Sequence, residues 1–232
     1  MHHLITSSLA AAAAGRALPA NEAEELLALL PGGFLGLLAS AGAASAAGRS
    51  SPFTCGIINA KSGRCGEDCA FCAQSRYHDT GTAVYPLISE EKLLERAEFL
   101  ARSGVAYMGI VTSGVGPGER DFERICRTAE KISRQVGIRL CASLGVLEEE
   151  QATTLRQAGF TSYHHNLESS RSYYGRICTT HGYDRRLETV RRAKEAGLRV
   201  CSGGIFGLGE NWSHRLELAE TLCALDVDSI PI

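Results

Sequence analysis

From Phe53 onward, short apolar runs alternate regularly with amphipathic helical runs. This alternation is typical of βα units around a parallel sheet. Four glycines stand where helices should end: Gly104, Gly137, Gly159 and Gly197. The strands are predicted at Gly56–Ile58, Val105–Val111, Arg139–Ser143, Ser162–Asn166, Arg199–Ile205 and Ser229–Ile232. The helices are predicted near Glu90–Arg102, Arg120–Gln135, Glu148–Ala158, Arg185–Ala196 and Ser213–Ala224, the first of them starting after Ser89.

Six predicted strands are too few for a closed barrel of this type. A complete eight-unit barrel takes about 250 residues, whereas this chain has 232 and reaches Pro231 and Ile232 within the sixth predicted strand. We therefore expect an α/β fold in which residues 51–232 form a partial (βα)6 TIM-like barrel. Residues 1–50 are expected to form an N-terminal helical extension, with one helix capped by Asn21 and another from Phe34 to Ala47.

Composition narrows the class of partner. Charged residues make up 22% of the chain, hydrophobic residues 44%, and the formal net charge is -2, a balance typical of a globular protein with a sizeable core. The chain has no dense basic stripe, so we expect no nucleic-acid partner. Its alanine-rich start lacks a positively charged beginning and is too short to span a bilayer. We therefore expect a cytoplasmic protein with no membrane segment.

Cysteine is abundant, and three cysteines are closely spaced. In a chain without a secretory signal, the nine cysteines are expected to be metal ligands and core thiols rather than disulfides. Cys65, Cys69 and Cys72 form a C-x3-C-x2-C run, and such soft sulfur donors favour iron–sulfur clusters or zinc. Both normally take four ligands, so a distant residue supplies the fourth or one metal position stays open for a small molecule. A small zinc-binding loop is the alternative interpretation of the run.

The cysteine run, with Phe71 just before its last member, resembles the signature of the radical S-adenosylmethionine (radical SAM) superfamily. The segments IINAKSGRC, EDCAFCAQS, YHHNLE, YYGRICTT and VCSGGIFGLGE resemble the biotin synthase family within it, and the similarity runs from about Leu18 to Ile232. The resemblance implies that the three cysteines hold a four-iron four-sulfur (4Fe-4S) cluster. The amino and carboxylate groups of S-adenosylmethionine would then bind the fourth iron. A six-stranded arc is the core that this superfamily shares, whereas biotin synthases have a complete eight-unit barrel.

The resemblance also implies a reaction and its partners. The substrate would be dethiobiotin, converted to biotin by hydrogen abstraction with a 5′-deoxyadenosyl radical followed by sulfur insertion. The electron donor would be a protein such as flavodoxin or ferredoxin. Dimers are common in the family, so the resemblance implies a homodimer.

Several residues acquire a role in S-adenosylmethionine binding from the same resemblance. Phe71 would contact the cofactor beside the cluster. Glu168 would hold the ribose hydroxyls at a position where the family commonly has Asp. Arg186 would pair with the carboxylate, a fork geometry that suits Arg better than Lys. The adjacent Arg185 is easily confused with it.

Residues after the fourth and fifth predicted strands complete the implied site. Asn166 would bind in the substrate region. In the G-x-I-x-G-x-x-E segment, Ile205 would pack on the adenine and Glu210 would brace the loop. Adjacent residues of a strand point to opposite faces, so we expect His164 and His165 to be unable to reach one metal together, with one facing the barrel and the other packed against helices.

A second cluster is implied less completely. Cys141 and Cys201 match family positions that bind a two-iron (2Fe-2S) cluster, the proposed sulfur donor. The family pattern also has a second-strand cysteine, where this chain has Tyr107, and an arginine expected beyond Ile232. Four other cysteines are candidate substitutes, and spacing does not choose among them: Cys55, Cys126, Cys178 and Cys223.

These departures leave two alternatives beside a biotin synthase-like enzyme. One is a related radical SAM enzyme without a donor cluster, similar to hydrogenase maturases or mutases, which the tyrosine on the second strand favours. The other is an inactive, truncated biotin synthase fragment, which the missing final strands favour.

Overall fold

The computed structural model describes residues 2–14, 16, 18–29, 42 and 53–232. Within the N-terminal region it contains helix α1, His2–Ala13, and helix α2, Ala20–Ala28. Helix α2 starts two residues earlier than predicted: Pro19, with φ -57° and ψ 145°, occupies the cap position in place of Asn21, which lies inside the helix. The predicted helix from Phe34 to Ala47 lies outside the described residues, except for residue 42.

The predicted βα alternation is confirmed. Five parallel strands form one sheet in the order of the chain. The strands are β1 Cys55–Lys61, β2 Tyr107–Thr112, β3 Arg139–Ser143, β4 Phe160–His164 and β5 Arg199–Cys201. The helices of this region are α3 Glu90–Arg102, α4 Glu119–Gln135, α5 Glu149–Gln157, α6 Arg171–Tyr174, α7 Tyr183–Glu195 and α8 Trp212–Ala224. None of the described helices is long and apolar enough to cross a membrane.

The sixth predicted strand, Ser229–Ile232, is not a strand in the structure. Ser229 forms an isolated parallel bridge with Cys201, and the Ser229 and Pro231 carbonyls accept hydrogen bonds from Ser202 N (3.0 Å) and Gly204 N (3.2 Å). Pro231 has no N–H to donate, which interrupts the ladder. The six-unit expectation is therefore corrected to a five-stranded arc with a sixth segment lying along β5.

Local sequence signals explain where the helices begin and end. The Ser89 hydroxyl accepts a hydrogen bond from Lys92 N and caps α3 as predicted. The four glycines after the helices all have positive φ, between 71° and 98°, a conformation that costs residues with a Cβ about 1–2 kcal/mol. The core between sheet and helices is fully buried and includes Ile110, Leu140, Phe160 and Val200 on the strands and Ile125, Ile132, Leu155 and Val190 on the helices.

Gly104 and Gly145 both have a positive φ but lie in different surroundings. This difference can be tested by substitution. A Cβ at Gly104 meets open space, whereas a Cβ at Gly145 would lie 2.1 Å from the Val115 carbonyl oxygen. We expect Gly104→Ala to lower the free energy of unfolding by about 1–2 kcal/mol. Gly145→Ala should cost a further 1–3 kcal/mol or so, because backbone must move. Urea unfolding of the two variants measures both losses, and equal losses would contradict the close approach.

Candidate active site

The loop that carries the cysteine run follows β1, at the carboxyl end of the sheet where parallel βα folds place their chemistry. It is closed by backbone hydrogen bonds. Cys65 N donates to Gln74 O at 3.0 Å, and Arg76 N donates to Cys65 O at 2.9 Å. Cys72 N donates to Cys69 O at 3.0 Å. These bonds hold the cysteines on a compact turn.

The cysteine loop is anchored on a distant segment, residues 177–181. The Asp68 carboxylate accepts hydrogen bonds from the backbone N–H groups of Thr179 (2.9 Å) and Thr180 (3.2 Å). The hydrogen bond from the Thr179 hydroxyl, and after it these backbone bonds, hold the pKa of Asp68 well below its usual range. Glu67 contacts the His181 ring at 2.5 Å, and Ala70 N donates to Ile177 O at 2.8 Å. The side chains of Glu67 and Asp68 together therefore fix the cysteine loop against residues 177–181.

Cys65, Cys69 and Cys72 all line one cavity of about 300 Å³, the first cavity. Cys69 is buried and the other two are half-buried. Burial, with the neighbouring Cys178 thiol, raises the pKa of Cys69. A bound cation reverses that preference by stabilising thiolates. The donor set is three soft sulfurs opening on a shared space, which fits three corners of a 4Fe-4S cluster.

Sequence reasoning did not place two residues beside the cysteine run: Cys178 was named only as a candidate ligand of the second cluster, and His181 was not named. Cys178 Sγ lies 3.7 Å from Cys69 Sγ, and His181 Nδ1 lies 3.2 Å from Cys178 Sγ. The ligand atoms of Cys69, Cys178 and His181 all lie within 4.8 Å of one another. Cys178 lies in the segment YYGRICTT and His181 follows that segment directly, but the sequence gives no sign of their contact with Cys69, because only the fold brings together positions over 100 residues apart.

A buried ion pair lines the first cavity together with the cysteines. Arg186 Nη1 lies 3.6 Å from Glu168 Oε1. Its guanidinium also donates to Tyr174 Oη (2.6 Å) and to the Asn166 carbonyl (2.8 Å). Burial raises the pKa of Glu168, which Arg186 partly offsets. Arg185 is exposed, so the structure brings Arg186 and not its neighbour to the cavity.

The two histidines are not placed on opposite sides as expected. The expectation that they cannot hold one metal together is not contradicted, because no metal-binding group among the described residues contains both. His164 and His165 both line the first cavity. The rule of alternating faces does not apply, because β4 ends at His164. Burial lowers the pKa of both side chains. His165 Nε2 is buried without a hydrogen-bond partner, as is Thr112 Oγ1 on the cavity wall.

The remaining predicted residues lie at different places. Phe71 and Asn166 line the first cavity; the Asn166 side chain accepts from Gly203 N at 3.1 Å. Ile205 is not among the residues that line this cavity, although its N–H donates to the Glu168 carbonyl at 2.9 Å. The Glu210 carboxylate accepts from Gly207 N, Leu208 N and Arg215, the bracing contact expected of it.

A second cavity, of about 540 Å³, lies on the inner face of the sheet. It is lined by Cys141 and Cys201, as the resemblance implies, and also by Cys55 from β1. Burial raises the pKa of Cys141 to about 12, and the Cys55 and Cys201 thiols add to the rise. Burial, then Cys201, raises the pKa of Cys55. The Cys55 and Cys201 thiols therefore lie close enough to Cys141 to act on its ionisation.

Tyr107 lines the second cavity too, and its side chain is fully engaged. Its ring lies 5.1 Å from the Phe53 ring and 4.0 Å from the Arg139 guanidinium. Its hydroxyl contacts Arg199 Nη1 at 3.2 Å. Packing and hydrogen bonding therefore account for this tyrosine.

The two cavities are neighbours. Val111, Ser143 and His164 line both of them, from β2, β3 and β4. A small molecule at this shared wall would face the cysteine run on one side and the Cys55, Cys141 and Cys201 thiols on the other.

Comparison with known proteins places the chain in a family. The model of the radical SAM superfamily matches residues 60–222. Biotin synthase of Nitratidesulfovibrio vulgaris (strain DSM 19637 / Miyazaki F) is 57% identical over 188 residues, 77% of this chain and 52% of the relative. The biotin synthase of Pelotomaculum thermopropionicum is 53% identical over 178 residues, 77% of this chain and 56% of the relative. The chain thus spans about half the length of the curated relatives it matches.

Solved structures agree on the fold. Methylornithine synthase superposes with a TM-score of 0.82 at 20% identity, covering 96% of this chain and 66% of the other. The FeFe-hydrogenase maturase HydG of Carboxydothermus hydrogenoformans superposes with a TM-score of 0.77 at 19% identity, covering 97% and 52%. Since the superfamily model covers most of the described sheet and the cysteine run, the chain belongs to the radical SAM superfamily.

Proposed function

We propose that this chain catalyses a biotin synthase reaction, in which a 5′-deoxyadenosyl radical abstracts hydrogen from dethiobiotin and sulfur is inserted to form biotin. The names of the similar curated proteins support the substrate. The observation that carries the proposal is the shared wall between two cysteine-lined cavities. It provides room for a substrate carbon between a radical source and a sulfur source.

The first cavity is the proposed radical site. Cys65, Cys69 and Cys72 would bind three irons of a 4Fe-4S cluster, and S-adenosylmethionine would take the fourth iron through its amino and carboxylate groups. When bound, the reduced cluster supplies the electron that cleaves the sulfonium to methionine and the 5′-deoxyadenosyl radical. The chain itself contributes position and exclusion of water.

Residues opposite the cysteines would hold S-adenosylmethionine. Arg186 would pair with its carboxylate, since Tyr174 and the Asn166 carbonyl already orient the guanidinium. Glu168 would accept the ribose hydroxyls. Phe71 would supply apolar contact, and the role of Ile205 at the adenine stays a prediction from the resemblance.

The second cavity is the proposed sulfur site. A 2Fe-2S cluster, the type implied by the family, would bind there through Cys141 and Cys201, which lie on β3 and β5. Asn166, which lines the first cavity and accepts a hydrogen bond from Gly203 N after β5, would contact dethiobiotin. A radical enzyme without a donor cluster is not favoured, because the curated relatives are named biotin synthases.

The remaining assignments rest on the resemblance. We propose dethiobiotin as the small-molecule substrate, a flavodoxin or ferredoxin as electron donor, and a homodimer. A cytoplasmic location is proposed because a reducing compartment suits oxygen-sensitive clusters. Residues 1–50 are proposed as a helical extension and residues 51–232 as the radical SAM core.

The proposed reaction is tested with the chain reconstituted anaerobically with iron and sulfide. With S-adenosylmethionine, a reductant and dethiobiotin, we expect 5′-deoxyadenosine and biotin, both detected by mass spectrometry. Omission of dethiobiotin is the control and should lower 5′-deoxyadenosine sharply. Formation of 5′-deoxyadenosine that does not depend on dethiobiotin, with no biotin, would reject this substrate.

Removal of one cysteine from the run tests the radical site. Cys69→Ala should abolish cleavage of S-adenosylmethionine, because the thiolate that anchors one iron is lost. Cys126→Ala is the matched control, since Cys126 is a buried cysteine of α4 that lines neither cavity. Cleavage is measured as 5′-deoxyadenosine per chain. If Cys69→Ala cleaved S-adenosylmethionine at the rate of the control, the assignment of this cluster would be wrong.

A charge-conserving change tests the role of Arg186. Arg186→Lys keeps the positive charge but loses the planar fork that pairs with a carboxylate, so we expect binding of S-adenosylmethionine to weaken about tenfold, roughly 1.4 kcal/mol. Arg185→Lys, at the exposed neighbour, should leave binding unchanged. Equilibrium binding to the reconstituted protein, with iron content measured in parallel, checks this. Equal affinities of the two variants would remove Arg186 from the binding site.

A further inference from the structure

We propose that Cys55 is the third thiolate ligand of an iron–sulfur cluster in the second cavity, where it joins Cys141 and Cys201. The inference rests on the proposed function, which supplies the second cluster. It adds a ligand that neither the resemblance nor the spacing of cysteines identifies.

The register of the sheet places Cys55 where a missing ligand would be needed. Cys55 and Tyr107 are directly paired residues of β1 and β2, and both line the second cavity. Neighbouring strands lie about 4.8 Å apart, and paired residues share a face. A thiol at Cys55 is thus displaced by one strand, at the same level and on the same side, from the position that Tyr107 occupies.

Tyr107 itself is unsuited to replace a thiolate in this cavity. Its ring is held between Phe53 and Arg139, and its hydroxyl contacts Arg199. The strand β2 therefore supplies no sulfur at this level. Two residues further along, β2 has Gly109, paired with Ile57 on one side and Cys141 on the other.

Gly109 leaves open the space between the thiols. A Cβ built at Gly109 would lie 4.0 Å from Cys55 Sγ, so the Cys55 thiol lies beside this glycine, facing Cys141 across β2. Strands β1 and β3 are about 10 Å apart across the intervening strand. Two cysteine side chains cannot close that gap with a disulfide.

The spacing of the three thiols also argues against a single metal ion. Among the described residues, Cys69, Cys178 and His181 form a group with ligand atoms within 4.8 Å of one another, and the Cys55, Cys141 and Cys201 thiols do not. Zinc would need all its sulfurs about 2.3 Å from one centre. Separated soft donors around an open cavity fit a cluster of several irons better.

The other candidate cysteines lie elsewhere. Cys126 is buried on α4, Cys178 adjoins Cys69, and Cys223 is exposed on α8. None of these three lines the second cavity. Cys55 is thus the described cysteine that completes a three-sulfur set with Cys141 and Cys201.

The test isolates the second cavity in the full chain. In a background with Cys65, Cys69 and Cys72 all changed to Ala, any cluster formed on reconstitution belongs elsewhere. We expect this background to keep iron, sulfide and a Mössbauer signal. Adding Cys55→Ser should lower the bound iron by about tenfold or more, as loss of a ligand does. Adding Cys223→Ser, the matched control, should leave the iron unchanged.

Two further measurements distinguish loss of the ligand from misfolding and from failure of the proposed reaction. Before reconstitution, in the iron-free proteins, the circular dichroism and urea midpoint of Cys55→Ser should equal those of the background, because serine is nearly isosteric at an exposed position. Full iron with Cys55→Ser, equal loss with Cys223→Ser, or no cluster in the background would each overturn the ligand assignment. Cleavage of S-adenosylmethionine by the unaltered chain reports on the proposed function independently, since it depends on the first cavity.

Discussion

The hydrogen bonds from the backbone amides of Thr179 and Thr180 to the Asp68 carboxylate decide whether the cysteine run can work as a site. A loop with three cysteines has many conformations, and ordering each residue costs roughly 1–2 kcal/mol. Charge-assisted bonds to backbone amides are among the stronger contacts available to offset that cost. They also tie the loop to the segment that carries Cys178 and His181, so the same contact builds the wall of the first cavity.

Close backbone approach shapes the rest of the site. A Cβ at Gly203 would lie 1.8 Å from the Pro231 carbonyl, and one at Gly204 would lie 2.8 Å from the Glu168 carbonyl. Glycine therefore lets three segments at the end of β5 lie together. Glu168 itself has a φ of 70°, a strained conformation of the kind found at ligand sites. The position of Glu168 on the wall of the first cavity depends on this close approach of backbone segments.

Sequence reasoning predicted the five strands of the sheet, the helix ends marked by glycine and the cysteine run, because each depends on local pattern. The glycines with positive φ after the helices and the Ser89 cap are examples. What it missed depends on register or on distant contacts. The presence of both His164 and His165 on the wall of one cavity follows from where β4 ends. The contact of Cys178 with Cys69 joins positions 109 residues apart. Neither the exact end of a strand nor a contact between distant positions can be predicted from a short run of residues.

The position of Cys55 shows why register matters for a ligand set. Moving a ligand one residue along a strand turns its side chain to the other face of the sheet. Moving it to the paired residue of the next strand keeps its face and its level, at a displacement of about 4.8 Å. Cys55 and Tyr107 are such a pair. A tyrosine held by Phe53 and Arg139 can therefore stabilise β2 while the thiol is supplied from β1, without changing which side of the sheet faces the shared wall.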